Sequence, residues 1–348
     1  MKRILLIIPY FGKFPEYFPM WLKSVEFNST INFLIITDNQ IERCPDNVRI
    51  IKSTFEETAS YIQSKFSFKI SLLRPYELTK FKPAYGFVFS EYITDFDFWG
   101  YCDVDLIFGN LRTFITDEIL ESQDKVFSHG HLTLYRNCDA MNRLFMTKRR
   151  DCFYYKDVFK SDGIWNNFDE YPYGIARIAR QEKVKVYEKL IFADLDMFFF
   201  TFRKVASYFT DAEDDSEEIA QYFVWDYGKL TDVMLLDAVI ESTEVAYVHF
   251  QKRNMNCKSV DDIEQVFAIV PNEFIPDKEY HFDRMNRDAI LSKNREYCEA
   301  IVQRRRNQKK VPLFEKVFSF QRLKRKAFLF KMNKIYGVKP YHFSKGGF

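Results

Sequence analysis

The twelve residues from Phe98 to Gly109 (FWGYCDVDLIFG) constrain the fold more than any other part of this chain. An apolar run delivers two carboxylates, one residue apart, and a glycine follows shortly after. A buried strand cannot hold unpaired charges in its interior, so Asp103 and Asp105 belong where the strand meets solvent or ligand. In an extended segment residues i and i+2 point the same way, so both carboxylates can face one cation. Hard divalent ions take oxygen ligands and share their shell with substrate phosphates. The pair therefore suits a metal-bound nucleotide diphosphate.

The segments before this run alternate between strand and helix. Arg3–Ile8 reads as a buried strand, with Pro9, Tyr10, Phe11 and Gly12 as a turn at its carboxyl end. Met1–Pro9 imitates a signal peptide, but its apolar run is too short and no small-residue cleavage site follows. Helical spacing of Phe18, Trp21, Leu22 and Val25 places a helix in Pro15–Asn28. Ile31–Thr37 and Val48–Lys52 are further strands, and a helix is expected from about Thr54 to Lys65. Later come expected helices at Pro83–Ile93 and Asn110–Glu121, and strands at Lys125–Ser128, Leu132–Arg136, Val184–Tyr187 and Val245–Phe250. This order indicates an α/β fold with a mostly parallel sheet flanked by helices. Such sheets place ligands beyond the carboxyl ends of their strands, which makes Pro9–Gly12, Thr37, Asp38, Asp103 and Asp105 neighbours.

A chain of 348 residues accommodates one large α/β domain and an appended piece. We expect a catalytic domain over residues 1–285 and a helical, basic tail over 286–348. From Ile301 onward 14 Lys/Arg face one acid, Glu315, although the whole chain carries only +2, so the body is acidic. The acidic run Asp211–Glu218 reads as a solvated loop. The six scattered cysteines form no CxxC pair and read as reduced residues of a cytoplasmic protein. No run approaches the ~18 apolar residues of a membrane span.

A bare Asp-x-Asp is weak, and the chain holds three: Asp95/Asp97, Asp103/Asp105 and Asp194/Asp196. The first sits among turn-like residues; the last follows an apolar run and shares the strand-end context. More specific is the combination of Lys82-Pro83-Ala84-Tyr85-Gly86 with the Phe98–Gly109 run. Together with Ile8-Pro9-Tyr10-Phe11-Gly12, Thr37-Asp38 and Phe168-Asp169-Glu170, it resembles bacterial GT-A-type glycosyltransferases of capsule and O-antigen synthesis. The resemblance covers roughly residues 1–270. It implies a GT-A-like (Rossmann-like) domain and a nucleotide-sugar donor, usually a UDP-sugar, held through Mn²⁺ or Mg²⁺ at Asp103 and Asp105. Pro9, Tyr10, Phe11, Gly12, Thr37 and Asp38 would line the nucleoside pocket, and Lys82 and Tyr85 are further donor-binding candidates. Related enzymes use a late histidine as third metal ligand and a nearby lysine on the diphosphate. His249, followed by Lys252 and Arg253, is similar in arrangement but lacks their glycine-containing motif.

Sugar transfer also needs a carboxylate near the anomeric carbon, either to accept the acceptor hydroxyl's proton or to assist a retaining displacement. Asp169 and Glu170 are the candidates, set between Phe168 and Tyr171-Pro172-Tyr173-Gly174. Their structural alternative is an N-terminal cap for a helix over Gly174–Gln181. Asp194 is the second choice. His129-Gly130-His131 would place two imidazoles on one side of a strand, with no carboxylate expected nearby, so it reads as acceptor-pocket lining or a turn.

The tail interleaves Arg304-Arg305-Arg306, Lys309-Lys310 and Lys324-Arg325-Lys326 with Phe314, Phe318, Phe320, Phe328 and Phe330. That mixture suits an anionic bilayer at the inner face of the plasma membrane, and no nucleic-acid module is recognisable. The sequence thus points to a metal-dependent hexosyltransferase acting on a glycan or lipid-linked acceptor. A metal-dependent sugar-phosphate phosphotransferase and a non-catalytic nucleotide- or carbohydrate-binding module remain alternatives.

Overall fold

The computed structural model describes residues 1–150, 152–162, 167–170, 173–196, 200–202, 220–236, 239–251, 253–257 and 265–276, with scattered helical residues between 288 and 334. The expected boundary at 285, the acidic run, Lys252 and most of the basic tail lie outside the described residues.

The chain opens with strand β1 (Ile4–Pro9), helix α1 (Phe18–Glu26), strands β2 (Ile31–Thr37) and β3 (Val48–Lys52), and helix α2 (Phe55–Ser64). It continues through β4 (Phe98–Cys102), β5 (Leu106–Phe108), β6 (Lys125–His129), β7 (Leu132–Arg136), β8 (Val186–Tyr187) and β9 (Ala193–Asp194). The principal sheet has the order β3-β2-β1-β4-β7-β6-β8. Its neighbours pair in parallel except where β7 meets β4 and β6, so β7 alone runs backwards. This is the α/β, mostly parallel architecture expected from the strand–helix alternation.

Side-chain alternation along the central strands builds two apolar layers, one on each face. Ile4, Leu6 and Ile8 of β1 join Phe98 and Cys102 of β4 in a layer that includes Trp21, Val25, Phe108 and Trp225. Leu5 and Ile7 join Trp99 and Tyr101 in the opposite layer, with Phe81, Tyr135 and Phe159. Strands buried on both faces read as unbroken apolar runs, which is why ILLIIP and INFLIIT stand out.

Helix α2 begins with a reciprocal cap. Thr54 Oγ1 accepts the Glu57 N–H at 3.1 Å, and Glu57 Oε2 accepts the Thr54 N–H at 2.8 Å. Thr54→Ala is expected to cost about 1 kcal/mol, read as a small fall in melting temperature with no loss of ligand binding.

Two expected helices take other forms. The segment around Pro83 forms 3₁₀ turns over Pro75–Ala84, one α-helical turn over Tyr85–Val88 and a further 3₁₀ turn over Ser90–Tyr92. Pro83 has no N–H for an α-helical ladder, and shorter i→i+3 turns take its place. The helix expected from Asn110 divides into Leu111–Phe114 and Asp117–Ser122. Thr116 is extended there and caps the second piece, its Oγ1 accepting the Ile119 N–H at 3.3 Å.

Two smaller sheets complete the fold. Strands β10 (Ala220–Asp226), β11 (Lys229–Leu236), β12 (Val239–Glu244), β14 (Val266–Val270) and β15 (Glu273–Pro276) form an antiparallel sheet in the order β12-β11-β10-β14-β15. Sequence patterning did not anticipate it. Trp225 anchors it to the main body, its Nε1 donating to the Phe108 carbonyl at 2.9 Å. The third sheet, β5-β13-β9, sets β13 (Tyr247–His249) antiparallel to β5 and parallel to β9.

Candidate metal and donor site

The third sheet assembles the site. Asp103 follows the last residue of β4, and its N–H donates to the His131 carbonyl at 2.9 Å. A bend through Val104 and Asp105 leads into β5. Leu106 is opposite His249 in the antiparallel register, and the Phe250 N–H donates to the Asp105 carbonyl at 3.0 Å. This register brings His249 Nε2 to 3.4 Å from Asp105 Oδ1. The parallel register on the other side sets His249 against Asp194, with Nδ1 at 2.7 Å from Asp194 Oδ1. Gln251 Nε2 donates to that same oxygen at 2.8 Å. Ligand-capable atoms of Asp103, Asp105 and His249 all lie within 4.8 Å of one another.

Lys82 braces Asp103. Its Nζ donates to Asp103 Oδ1 and to the Gly130 carbonyl, both at 2.7 Å, and lies 3.6 Å from Asp169 Oδ2. Burial would depress this ammonium, but Asp103 and Asp169 reverse the effect and hold it above the ordinary lysine range. Burial raises the Asp103 carboxyl, Lys82 opposes that, and Asp105 adds to it, leaving the group above its usual value. Burial likewise pushes Asp169 up to about 8, against the pull of Lys82 and with further help from Glu170 and Asp103. Burial also raises Glu170, whose Oε2 accepts the Gly130 N–H at 3.4 Å. For His249, burial disfavours the charged ring, yet Asp105 and Asp194 outweigh it and raise the imidazolium to about 10. Without a bound ion, the ring is therefore a proton-bearing bridge between two carboxylates.

Asp169 and Glu170 do not cap the following helix. That helix spans Ile175–Gln181, with Gly174 at its N-cap and no side-chain hydrogen bond there. The carboxylates face Lys82 and Gly130 instead, and the Tyr101 hydroxyl donates to the Asp169 carbonyl at 3.3 Å. Gly130 is required by this closeness, because a Cβ on it would stand 2.8 Å from Asp169 Oδ2.

The first two strand ends meet beside the acid pair. Tyr10 is partly buried; burial raises its phenol, and Asp105 and Asp103 raise it further, which records their proximity. Its ring stacks on Phe14 with centroids 4.7 Å apart, and its hydroxyl donates to the Lys13 carbonyl at 3.0 Å. Pro9 ends β1, and Phe11 is buried in edge-to-face contact with Phe55. Asn39, to which the sequence attached no role, ties the two loops. Its Nδ2 donates to the Gly12 carbonyl at 2.8 Å and to Thr37 Oγ1 at 3.0 Å. Thr37 is fully buried, whereas Asp38 is exposed.

Other residues singled out by sequence lie apart from the acid pair or are already engaged. Tyr85 is buried in the core, its hydroxyl donating to the Leu78 carbonyl at 3.2 Å. Arg253 donates to the Phe200 carbonyl at 2.9 Å, to Asn272 Oδ1 at 3.0 Å and to the Asp196 carbonyl at 2.6 Å. His129 and His131 do share one side, their rings stacked 5.2 Å apart. The expectation that no carboxylate stands near them is corrected: β9 carries Asp194 Oδ2 to 4.0 Å from His131 Nε2.

Three comparisons bear on these observations. A family described as "Family of unknown function (DUF6625)" matches residues 6–278. No curated protein matches the sequence. Among solved structures, the galactosyltransferase LgtC in complex with donor and acceptor sugar analogues is similar at 14% identity, covering 72% of this chain and 87% of that one, with a TM-score of 0.35. The glycosyltransferase GlyE of Streptococcus pneumoniae TIGR4 is similar at 12% identity, covering 54% of this chain and 45% of that one, with a TM-score of 0.27.

Proposed function

The chain belongs to the DUF6625 family, and we propose that this member is a metal-dependent glycosyltransferase. It would move a sugar from a nucleotide-sugar, a UDP-sugar by preference, to a glycan or lipid-linked acceptor in surface polysaccharide synthesis. The observation that carries this reading is the convergence of Asp103, Asp105 and His249 beyond the carboxyl end of a parallel-sheet strand. Two carboxylates and one imidazole suit Mn²⁺ or Mg²⁺ and leave positions for diphosphate oxygens. A bound ion would supply Lewis-acid stabilisation to the departing nucleotide.

The chain's own residues would do the remainder. Asp103, Asp105 and His249 hold the ion, with Lys82 fixing one Asp103 oxygen so that the other is presented. Tyr10, Phe11, Gly12 and Asp38 border the nucleoside, Thr37 supporting them through Asn39. Lys252, just beyond the site histidine, would offset charge on the diphosphate. Asp169 and Glu170 are proposed as the carboxylates nearest the reacting sugar, with Asp194 as the second candidate. The basic tail would hold the enzyme against the anionic inner face of the plasma membrane.

A thermal-shift screen of UDP and UDP-sugars, with and without Mn²⁺, tests the reading. At a hundredfold excess over Kd a donor stabilises the native state by about 2.7 kcal/mol, and the shift should appear only when metal is supplied. Metal must also displace the Nε2 proton of His249, which is retained below about pH 10. Mn²⁺ affinity should therefore weaken by up to about tenfold for each pH unit below neutrality. Absence of any Mn²⁺-dependent donor shift contradicts the proposal. Gain of phosphorus by the acceptor, seen by mass analysis, identifies phosphoryl transfer instead.

A further inference from the structure

The two ring nitrogens of His249 face different carboxylates, Nε2 toward Asp105 and Nδ1 toward Asp194. On the Nδ1 side stands a second donor set, His131, Asp194 and His249, with ligand atoms again within 4.8 Å of one another. His131 is 5% exposed, and its Nε2 is buried with no hydrogen-bond partner, 4.0 Å from Asp194 Oδ2. Leaving such a buried group unsatisfied is costly, so its direction points to a ligand between it and Asp194.

The surroundings prepare His131 for that role. Its Nδ1 lies 3.1 Å from the Tyr247 hydroxyl, which can accept the ring proton and leave a lone pair on Nε2. The rings of His129 and Phe192 pack against it with centroids 5.2 Å away, fixing its orientation. Gln251 steadies the Asp194 carboxylate. Two imidazoles and one carboxylate, with a coordination position to spare, suit zinc and similar borderline cations better than magnesium or manganese. Ligand atoms around tetrahedral zinc stand about 3.3 Å apart. The separations here, 2.7 Å from His249 Nδ1 to Asp194 Oδ1 and 4.0 Å from His131 Nε2 to Asp194 Oδ2, straddle that value.

We propose that His131, Asp194 and His249 form a second cation site, selective for zinc-like ions, which competes with the Asp103/Asp105 site for His249. Zinc on Nδ1 requires that nitrogen's lone pair, and a neutral imidazole has only one lone pair to give. Occupancy of one site therefore disfavours the other. The zinc site itself does not depend on the glycosyltransferase reading; only the functional meaning of the competition does.

The full chain, stripped with chelator, would be titrated with Zn²⁺ and, separately, with Mn²⁺ followed by electron paramagnetic resonance. His131→Gln is expected to weaken Zn²⁺ binding tenfold or more while Mn²⁺ affinity stays unchanged, which also verifies its fold. Asp103→Asn should do the converse, and Zn²⁺ should raise the apparent Kd for Mn²⁺ in the parent protein. X-ray absorption on the parent zinc complex, which needs no variant, should count two imidazoles. A single imidazole, or zinc affinity that responds to Asp103→Asn but not to His131→Gln, overturns the proposal. If Mn²⁺ binds nowhere, the donor-site reading fails while the zinc measurements still decide this one.

Discussion

Asp103→Ala is expected to lower nucleotide-sugar turnover about a thousandfold, because metal-ion catalysis contributes several kcal/mol and each 1.36 kcal/mol is tenfold in rate. The fold should survive the change. The Asp103 side chain is 35% exposed, so its truncation opens little interior space. Its main-chain bond to the His131 carbonyl remains, and Lys82 keeps the Gly130 carbonyl and Asp169 as partners. The measurement is donor consumption by purified proteins with matched melting curves. Activity equal to the parent's removes Asp103 from the reaction and with it the present reading of the site.

The second large effect concerns stability. Lys82→Met removes the ammonium that Asp103 and Asp169 share, and stripping one partner from a buried ion pair costs about 3–5 kcal/mol. At about 2–4 °C per kcal/mol for a domain of this size, the melting temperature should fall by roughly 6–20 °C. The deficit should depend on pH in a defined sense. Asp169 titrates near 8 in the folded protein even with Lys82 present, against an ordinary value near 4. The folded state thus holds a proton that the unfolded chain releases, and stability falls as pH rises through that interval. Loss of Lys82 raises the folded value further and extends the fall to higher pH. Differential scanning calorimetry from pH 5 to pH 9 should show the variant closest to the parent at the acid end. A deficit that does not change with pH would mean that the two carboxylates do not feel Lys82.

How much of this was legible in the sequence depended on the kind of burial involved. Ile31–Thr37 coincides with an observed strand because a central parallel strand leaves little room for polar residues. Val48–Lys52, the edge strand with Arg49 and Lys52 exposed, was marked instead by its β-branched Val48, Ile50 and Ile51. The antiparallel sheet from Ala220 to Pro276 was missed because its strands mix buried and half-buried positions, where propensity is a weaker guide. Its turns nevertheless left marks. Asp226-Tyr227-Gly228-Lys229 closes the β10–β11 hairpin with positive φ at both central residues, and Pro271-Asn272 closes β14–β15 with positive φ at Asn272. Gly after a polar-flanked turn and Asn after Pro are signals for such hairpins.

Within the site, Asp103 and Asp105 announced themselves because two charged groups at the end of an apolar strand must meet water, a cation or a ligand. Lys82 was recognisable as a cation near the site, but its two carboxylate partners were not, since Asp169 reaches it through tertiary folding alone. The meeting of His131, Asp194 and His249 was hidden for the same reason. No local spacing encodes a register between strands so distant in sequence.

The separation of β5, β9 and β13 along the chain also sets the order in which a ribosome can deliver them. Asp103 and Asp105 emerge early, with more than half of the chain still to be translated. The imidazole that stands beside them arrives only with Tyr247–His249. A product cut short before that point would carry both carboxylates without the histidine that the proposed ion site requires.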